Sequence, residues 1–325
     1  MRLDWDMADN LIASANNVII ITHLNPDGDA FGSMLGLGNA LMDGGKAVTM
    51  AVDEGLSERF KFLPNSAMVR ADLNGIGGDL GIVVDCSDER RTGKVGEQLR
   101  ALNIPIINLD HHRTNTLFGT AVLVDENWVS ATEGVLAWLD HLKIKPQLAA
   151  AQCLLCGLVT DTLCFRTDSV TAETLHIAQR LMGIGANLSE IVQRAMTRVP
   201  TAVIRLWREV MPTVKIEDHV IWVKVTLAAR KAAELDRGDG NLVNMLLQAD
   251  DAYCAAVFKE QDDGIVDVSM RAVPGFNVAN VALQLGGGGH VLAAGASMQL
   301  PIDEVETKVV PLLKQAAAIG KPIFA

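Results

Sequence analysis

The sequence is expected to fold as an α/β protein of two domains: a mainly parallel five-stranded sheet flanked by helices, then a smaller mixed α/β domain. Three observations lead there. The 325 residues amount to about two domains of roughly 100 to 200 residues each. Hydrophobic residues make up 49% of the chain, as in a packed globular protein. Short β-branched runs alternate with helical patterns in the first half, which is how parallel βα units read in sequence.

The strand candidates of the first half are residues 18–22, 47–52, 80–84, 104–109 and 120–124. Unbroken apolar runs such as Val18-Ile19-Ile20-Ile21 suit parallel strands buried on both faces. Residues 32–42 and 93–102 read as helices between them. Ser130-Ala131-Thr132-Glu133 ahead of an apolar stretch has the Ser-x-x-Glu form of a capping box and marks a helix start. From Asp161 to about Val210 the pattern is mostly helical, and Pro200 and Pro212 bracket a segment that reads as a linker. Alternation then returns, with strands expected at 220–225, 252–258, 266–271 and 296–300 and helices at 242–249 and 278–285. The domains are therefore placed at 1–195 and 213–325, joined by a linker at 196–212.

Composition excludes several function classes. A net charge of −11 argues against long duplex nucleic acid, where affinity comes from many cationic contacts to phosphates. Five cysteines, an odd number spread over a long chain, do not form a disulfide framework, so a reducing cytoplasmic setting is expected. The start, Met1-Arg2-Leu3-Asp4-Trp5-Asp6, lacks the basic and apolar regions of an export signal. The apolar stretch 148–159 is shorter than the about 20 residues that span a bilayer and reads as a buried helix, with Cys153 and Cys156 in its packing. No membrane partner is expected. Aromatic residues, 4% of the chain, are too sparse to stack successive bases of a long strand.

Three strand candidates run into residues of metal-ligand type: His23-Leu24-Asn25-Pro26-Asp27-Gly28-Asp29, then Asp85-Cys86-Ser87-Asp88, then Asp110-His111-His112. Ligand sites of parallel sheets lie outside the carboxyl ends of the strands, so these groups converge although they are distant in sequence. Asp161, after the apolar stretch, can join from a helix end. Imidazoles with several carboxylates and no thiolate favour a hard to borderline cation, Mn2+ first, with Mg2+ or Co2+ as substitutes. In His23-x-x-x-Asp27-x-Asp29 two carboxylates one residue apart can face different ions. A shared Asp85 would then hold two cations about 3.5 to 4 Å apart, the spacing that clamps a phosphoryl group and activates water.

These strings resemble the DHH phosphoesterase superfamily, named for the Asp110-His111-His112 motif. The resemblance implies metal-dependent hydrolysis of phosphoric esters or anhydrides. It implies His23, Asp27 and Asp85 around one Mn2+, and Asp29, Asp85, His111 and Asp161 around a second. His112 would face the substrate and Asp110 would support a histidine from behind. Where related sequences commonly read Thr-Asp-Thr-Gly, this one reads Thr160-Asp161-Thr162-Leu163, which adds bulk beside a ligand.

Near the carboxyl terminus, Gly286-Gly287-Gly288-Gly289-His290 lies between two apolar patterns. Glycines before a helix let backbone N–H groups approach an anion. Arg271, at the end of a strand in Ser269-Met270-Arg271, can bind phosphate in bidentate fashion. Both features resemble the domain associated with the DHH family, in which Ser-x-Arg and Gly-Gly-Gly-His motifs bind substrate. This implies a catalytic metal-binding domain at 1–195 and a substrate-binding domain at 213–325, with the active site in the cleft between them, Arg271, Gly287, Gly288, Gly289 and His290 as substrate contacts and His112 and Asp85 as the catalytic pair.

Within the superfamily, the compact two-domain nanoRNase and pAp phosphatase branch is the expected place. The expected activity is Mn2+-dependent cleavage of very short single-stranded oligonucleotides or dinucleotides to mononucleotides, with 3′-phosphatase action on 3′-phosphoadenosine 5′-phosphate (pAp) beside it. A cyclic-dinucleotide phosphodiesterase is the enzymatic alternative, and a nucleotide-sensing binding protein the non-enzymatic one. The family also implies a homodimer.

Overall fold

The computed structural model describes residues 1–236 and 238–321. Arg237 and residues 322–325, the last of the expected 213–325 domain, lie outside the described residues. The chain divides into two compact units, Met1–Arg198 and Val199–Ala325.

The first unit is built on strands β1 (Arg2–Leu3), β2 (Asn17–Ile21), β3 (Ala47–Ala51), β4 (Leu80–Val84), β5 (Ile106–Asp110) and β6 (Ala121–Val124), in the order β1-β6-β5-β4-β2-β3. Five run parallel, with Ile21 beside Val83 and Val84 beside Leu109. The sixth, β1, lies antiparallel on the β6 edge and is too short to leave a sequence pattern. Helices are α1 (Trp5–Ser14), α2 (Gly28–Asp43), α3 (Gly93–Ala101), α4 (Ala131–His141), α5 (Leu148–Asp161), α6 (Ala172–Ile184) and α7 (Leu188–Ile191).

Alternation along the buried strands splits their side chains between two cores. Ile19, Ile21 and Val83 pack with Val95 and Leu99 of α3. Val18, Ile20, Ile82, Val84 and Ile107 pack against α2 and α5 on the other face. That second face is where α2 and α5 meet backbone to backbone. A Cβ placed on Gly32 would lie 2.7 Å from the Gly157 nitrogen and 2.8 Å from the Cys153 carbonyl oxygen. Only glycine permits this approach, and it brings the amino end of α2 against the carboxyl end of α5.

Helix α2 begins at Gly28, four residues before the expected 32–42. Asp27 caps it, its Oδ1 accepting from the backbone N–H of Asp29 and Ala30 at 3.0 and 3.1 Å. Asp29 therefore stands in the first helical turn and not in the loop.

The second unit contains α8 (Thr201–Val210), β7 (Lys215–Glu217), β8 (Val220–Val225), α9 (Leu227–Ala232), α10 (Leu242–Leu246), β9 (Cys254–Glu260), β10 (Val266–Ala272), α11 (Ala279–Gln284), β11 (Gly288–His290), β12 (Ala293–Met298) and α12 (Ile302–Ile319). Its sheet runs β11-β12-β10-β9-β8-β7, with β8 and β9 parallel and the other pairs antiparallel. Phe258, Val268 and Met270 face α11 and α12, whereas Ala255, Val257 and Val223 face α8 and α10.

Two expectations are corrected here. Residues 201–210, read as part of the linker, form α8, whose Leu206 and Val210 are buried in the second unit's core. The glycine run does not lead into a helix: Gly288–His290 pairs antiparallel with Ala293–Met298 as a hairpin. A Cβ on Gly287 would meet the Gly295 carbonyl oxygen at 2.1 Å, and Gly289 has φ +139°, so the glycines serve close strand approach. Among the described residues no helix is long and apolar enough to cross a membrane.

Candidate metal centre

The first unit gathers a group of acids and histidines at the carboxyl ends of β2, β4 and β5 and at the end of α5. His23 follows β2, Asp85 follows β4, Asp110 closes β5 with His111 and His112 behind it, and Asp161 is the last residue of α5. His23, Asp27 and Asp85 present ligand atoms within 4.8 Å of one another, and Asp29, His111 and Asp161 do the same.

Asp85 stands between the two groups. Its Oδ2 lies 3.5 Å from His23 Nε2 and its Oδ1 lies 3.6 Å from His111 Nε2. His111 Nε2 is also 3.7 Å from Asp29 Oδ2 and from Asp161 Oδ2. These separations exceed a hydrogen bond. Asp85 Oδ1 is buried with no hydrogen-bond partner among the described residues. The Asp85 backbone is left-handed, with φ +52°, which turns the carboxylate toward both groups.

The far side of each imidazole is fixed. His23 Nδ1 lies 2.7 Å from the Leu24 carbonyl oxygen and His111 Nδ1 lies 3.3 Å from that of Trp128. A carbonyl only accepts, so Nδ1 carries the proton and Nε2 is the ring atom left to ligate a cation. His112 differs: its Nδ1 lies 2.7 Å from Asp110 Oδ1, and Asn115 Nδ2 donates to Asp110 Oδ2 at 2.6 Å. Asp110 thus supports His112 rather than either of the other histidines.

Asp29 is held at the amino end of α4. Ala131 N–H donates to its Oδ2 at 2.6 Å and Thr132 N–H to its Oδ1 at 3.0 Å, a favourable place for a carboxylate. The expected cap is also present, Ser130 Oγ accepting from the Glu133 N–H at 3.2 Å. Gly157 of α5 packs directly beneath, since a Cβ there would lie 2.7 Å from Asp29 Oδ1.

Crowding shapes the electrostatics. Burial, and after it the charges of Asp29 and Asp27, pushes the Asp85 carboxyl well above its ordinary range. Burial and the same neighbours push Asp161 up to about 8. Asp29 is raised by burial too, against the pull of His111 and the α4 amides. Burial would raise Asp110 as well, but the bonds from His112 and Asn115 hold it below the usual carboxylate value. His112 is raised in turn, chiefly by its bond to Asp110.

This donor set fits divalent cations. Carboxylates crowded in a buried site, an unpartnered Asp85 oxygen and two imidazoles with outward lone pairs are what a bound cation would satisfy. Thiolate takes no part: the Cys86 Sγ donates to the Asp88 carbonyl oxygen at 3.2 Å, and burial pushes its thiol up to about 11. The donors are oxygen and nitrogen, suiting hard to borderline ions.

In the second unit, β12 brings two expected contacts into register. Ala293 pairs with His290 of β11 on one side and with Arg271 of β10 on the other. His290 is exposed, and the half-buried Arg271 donates from Nη1 to the Met270 carbonyl oxygen at 3.0 Å. Burial lowers the Arg271 pKa from its ordinary value. Gly288 and Gly289 lie on the exposed strand beside His290, with Gly287 half-buried before it.

Sequence reasoning missed Asn115 and Asn108. Both donate to the Cys86 carbonyl oxygen, at 3.2 and 3.1 Å, pinning the peptide that follows the left-handed Asp85. It also missed the α4 amides on Asp29, because a backbone donor leaves no trace in residue type.

Comparison with known proteins gives consistent matches. Residues 17–158 match the DHH family N-terminal domain and residues 226–318 match the DHHA1 domain. A bifunctional oligoribonuclease and PAP phosphatase NrnA from Thermus thermophilus is 33% identical over 97% of this chain and 94% of its own length. A cyclic-di-AMP phosphodiesterase GdpP from Geobacillus thermodenitrificans is 26% identical over 96% of this chain but 49% of its own length. The crystal structure of an exopolyphosphatase-related protein from Bacteroides fragilis superposes with a TM-score of 0.87 at 22% identity, covering 97% of this chain and 95% of that one.

Proposed function

Because the chain belongs to the DHH family of metal-dependent phosphoesterases, and is thus a hydrolase of phosphoester bonds, we propose that it cleaves very short single-stranded oligonucleotides to mononucleotides and removes the 3′-phosphate of pAp. The observation that carries the two-cation form of this reading is Asp85, whose two oxygens face two separate histidine and carboxylate groups. His23, Asp27 and Asp85 would hold one Mn2+, and Asp29, Asp85, His111 and Asp161 the other. When bound, the two cations supply charge neutralisation for a phosphoryl group and acidify water.

The chain's own residues would do the rest. Asp110 keeps a proton on His112 Nδ1 and favours the charged imidazole, so His112 Nε2–H can donate to the departing oxygen. Arg271 and His290, with the backbone of Gly287, Gly288 and Gly289, would hold a phosphate remote from the scissile one. A short substrate carrying two phosphates, such as a 5′-phosphorylated dinucleotide or pAp, meets both requirements.

A second reading, hydrolysis of cyclic dinucleotides, is favoured by the similarity to GdpP over 96% of this chain. Incubation with Mn2+ and a 5′-phosphorylated RNA dinucleotide, with cyclic di-AMP, pAp and pyrophosphate in parallel, separates them. Fastest release of mononucleotide from the dinucleotide is expected. Preference for cyclic di-AMP overturns the first reading in favour of the second, and turnover of none of these overturns both.

A further inference from the structure

Immediately after Asp161 the backbone does something unusual. Leu163, Cys164 and Phe165 have φ of +48°, +60° and +62°, three successive residues in the left-handed region and none of them glycine. The turn is firmly held. Thr162 is wholly buried, its Oγ1 donating to the Leu158 carbonyl oxygen at 2.6 Å and accepting from the Phe165 N–H at 3.1 Å. Cys164 N–H donates to the Val159 carbonyl oxygen at 2.7 Å, and the Cys164 and Phe165 side chains pack against the first unit's core.

Leu163 gains nothing comparable. Its side chain is 49% exposed, two residues beyond a candidate ligand, at a position whose φ glycine would adopt without strain. An exposed apolar side chain in a strained conformation is not explained by packing, and strain of this kind accompanies functional sites. Arg166, also exposed, ties its Nε to the Leu163 carbonyl oxygen at 2.7 Å, so a guanidinium suited to phosphate is fixed beside the same turn. An apolar lip and a cation next to a phosphoryl-binding centre match the parts of one nucleotide.

We propose that Leu163 is a specificity-determining residue that contacts the nucleobase of the nucleotide held at the metal centre, an inference that rests on the oligonucleotide reading above. The turn makes the centre select nucleotides over base-free phosphate esters. Arg166 takes a phosphate of the same nucleotide.

Binding of AMP and of ribose 5-phosphate to the Mn2+-loaded protein tests this without turnover. Leu163→Gly should weaken AMP binding by about fivefold or more and leave ribose 5-phosphate unchanged, while Leu163→Met restores AMP binding to within about twofold. Melting temperatures of both variants should stay within about 3 °C of the wild type. Equal effects on the two ligands, no effect on either, or no preference for AMP in the wild type overturns the proposal. A larger fall in melting temperature assigns Leu163 to packing and overturns it too. Dinucleotide turnover, followed in parallel, reports on the oligonucleotide reading alone: its absence, with base discrimination intact, overturns that reading and supports the contact.

Discussion

Oδ1 of Asp85 lies 3.6 Å from Nε2 of His111, with no hydrogen bond between them and no other partner for that oxygen among the described residues. Without metal the raised Asp85 carboxyl favours its protonated form, and as a carboxylate that oxygen is satisfied by a cation held between it and the imidazole. Asp85→Asn keeps the shape and removes the charge. Second-sphere changes already cost about 10–100-fold in metal affinity or activity, so loss of a ligand should exceed about 100-fold in turnover. The metal-free variant should melt no lower than the metal-free wild type, since burial already disfavours the Asp85 charge. Near-normal turnover in the folded variant would refute the bridging role.

The raised carboxyls make metal binding and stability depend on pH. Asp161 has an ordinary value of 3.8 and stands at about 8 in the fold, so the folded metal-free protein holds a proton that the unfolded chain releases. Its contribution to metal-free stability therefore declines as pH rises from about 4 to about 8. Cation binding expels that proton, so Mn2+ affinity should climb with pH by up to about tenfold per pH unit per displaced proton, the Asp161 share of the rise ending near pH 8. Calorimetric titrations at pH 6, 7 and 8 measure this, and a pH-independent affinity would contradict it.

Gly157→Ala should damage the centre from beneath. The new methyl would sit 2.3 Å from Thr132 Cγ2 and 2.7 Å from Asp29 Oδ1, so the α4–α5 contact or the carboxylate must move. Overpacking of this kind costs about 1–3 kcal/mol. The expected result is a melting temperature lower by several degrees together with weaker binding of a divalent cation. An unchanged melting temperature would show that the site yields freely.

Asn115→Ala should act through its neighbours. Asp110 loses its 2.6 Å donor and the Cys86 carbonyl loses one of two. A fall in turnover of about 10–100-fold is expected. Asn115→Asp, which keeps size but donates nothing, should be equally impaired; full activity in that variant would remove Asn115 from the supporting structure.

Arg271→Ala is expected to raise KM for a 5′-phosphorylated dinucleotide by about tenfold or more, the scale of a lost charge-assisted bond, with little change in kcat. The same dinucleotide without its 5′-phosphate should be indifferent to the change. Equal losses on both substrates would count against the anchoring role.

Much of the first unit was legible because its strands are buried on both faces and read as unbroken apolar runs. Residues 80–84 match β4 at both ends, and their alternation between two cores follows from the strand period. Helix α2 begins four residues before its expected start because Asp27 has the residue type of a turn, and only its carboxylate on the Asp29 and Ala30 N–H groups makes it a cap. Helix α8 was hidden by its flanking prolines, although Val203, Leu206 and Val210 recur at helical spacing. The histidines and aspartates that converge were visible as residue types at strand ends. What holds them was not, since Asn108, Asn115 and the α4 amides act only across the tertiary fold. The left-handed turn after Asp161 was equally silent, because leucine, cysteine and phenylalanine do not advertise positive φ.

The hairpin strand that carries His290 also forms one border of its sheet. Three residues long, two of them glycine and none buried, it offers a poor template for another chain to extend. The opposite border, Lys215–Glu217, is as short and carries a charge at each end. A longer exposed border strand with open backbone groups would invite intermolecular strand pairing. Here the glycines proposed to receive a phosphate also guard the sheet against aggregation.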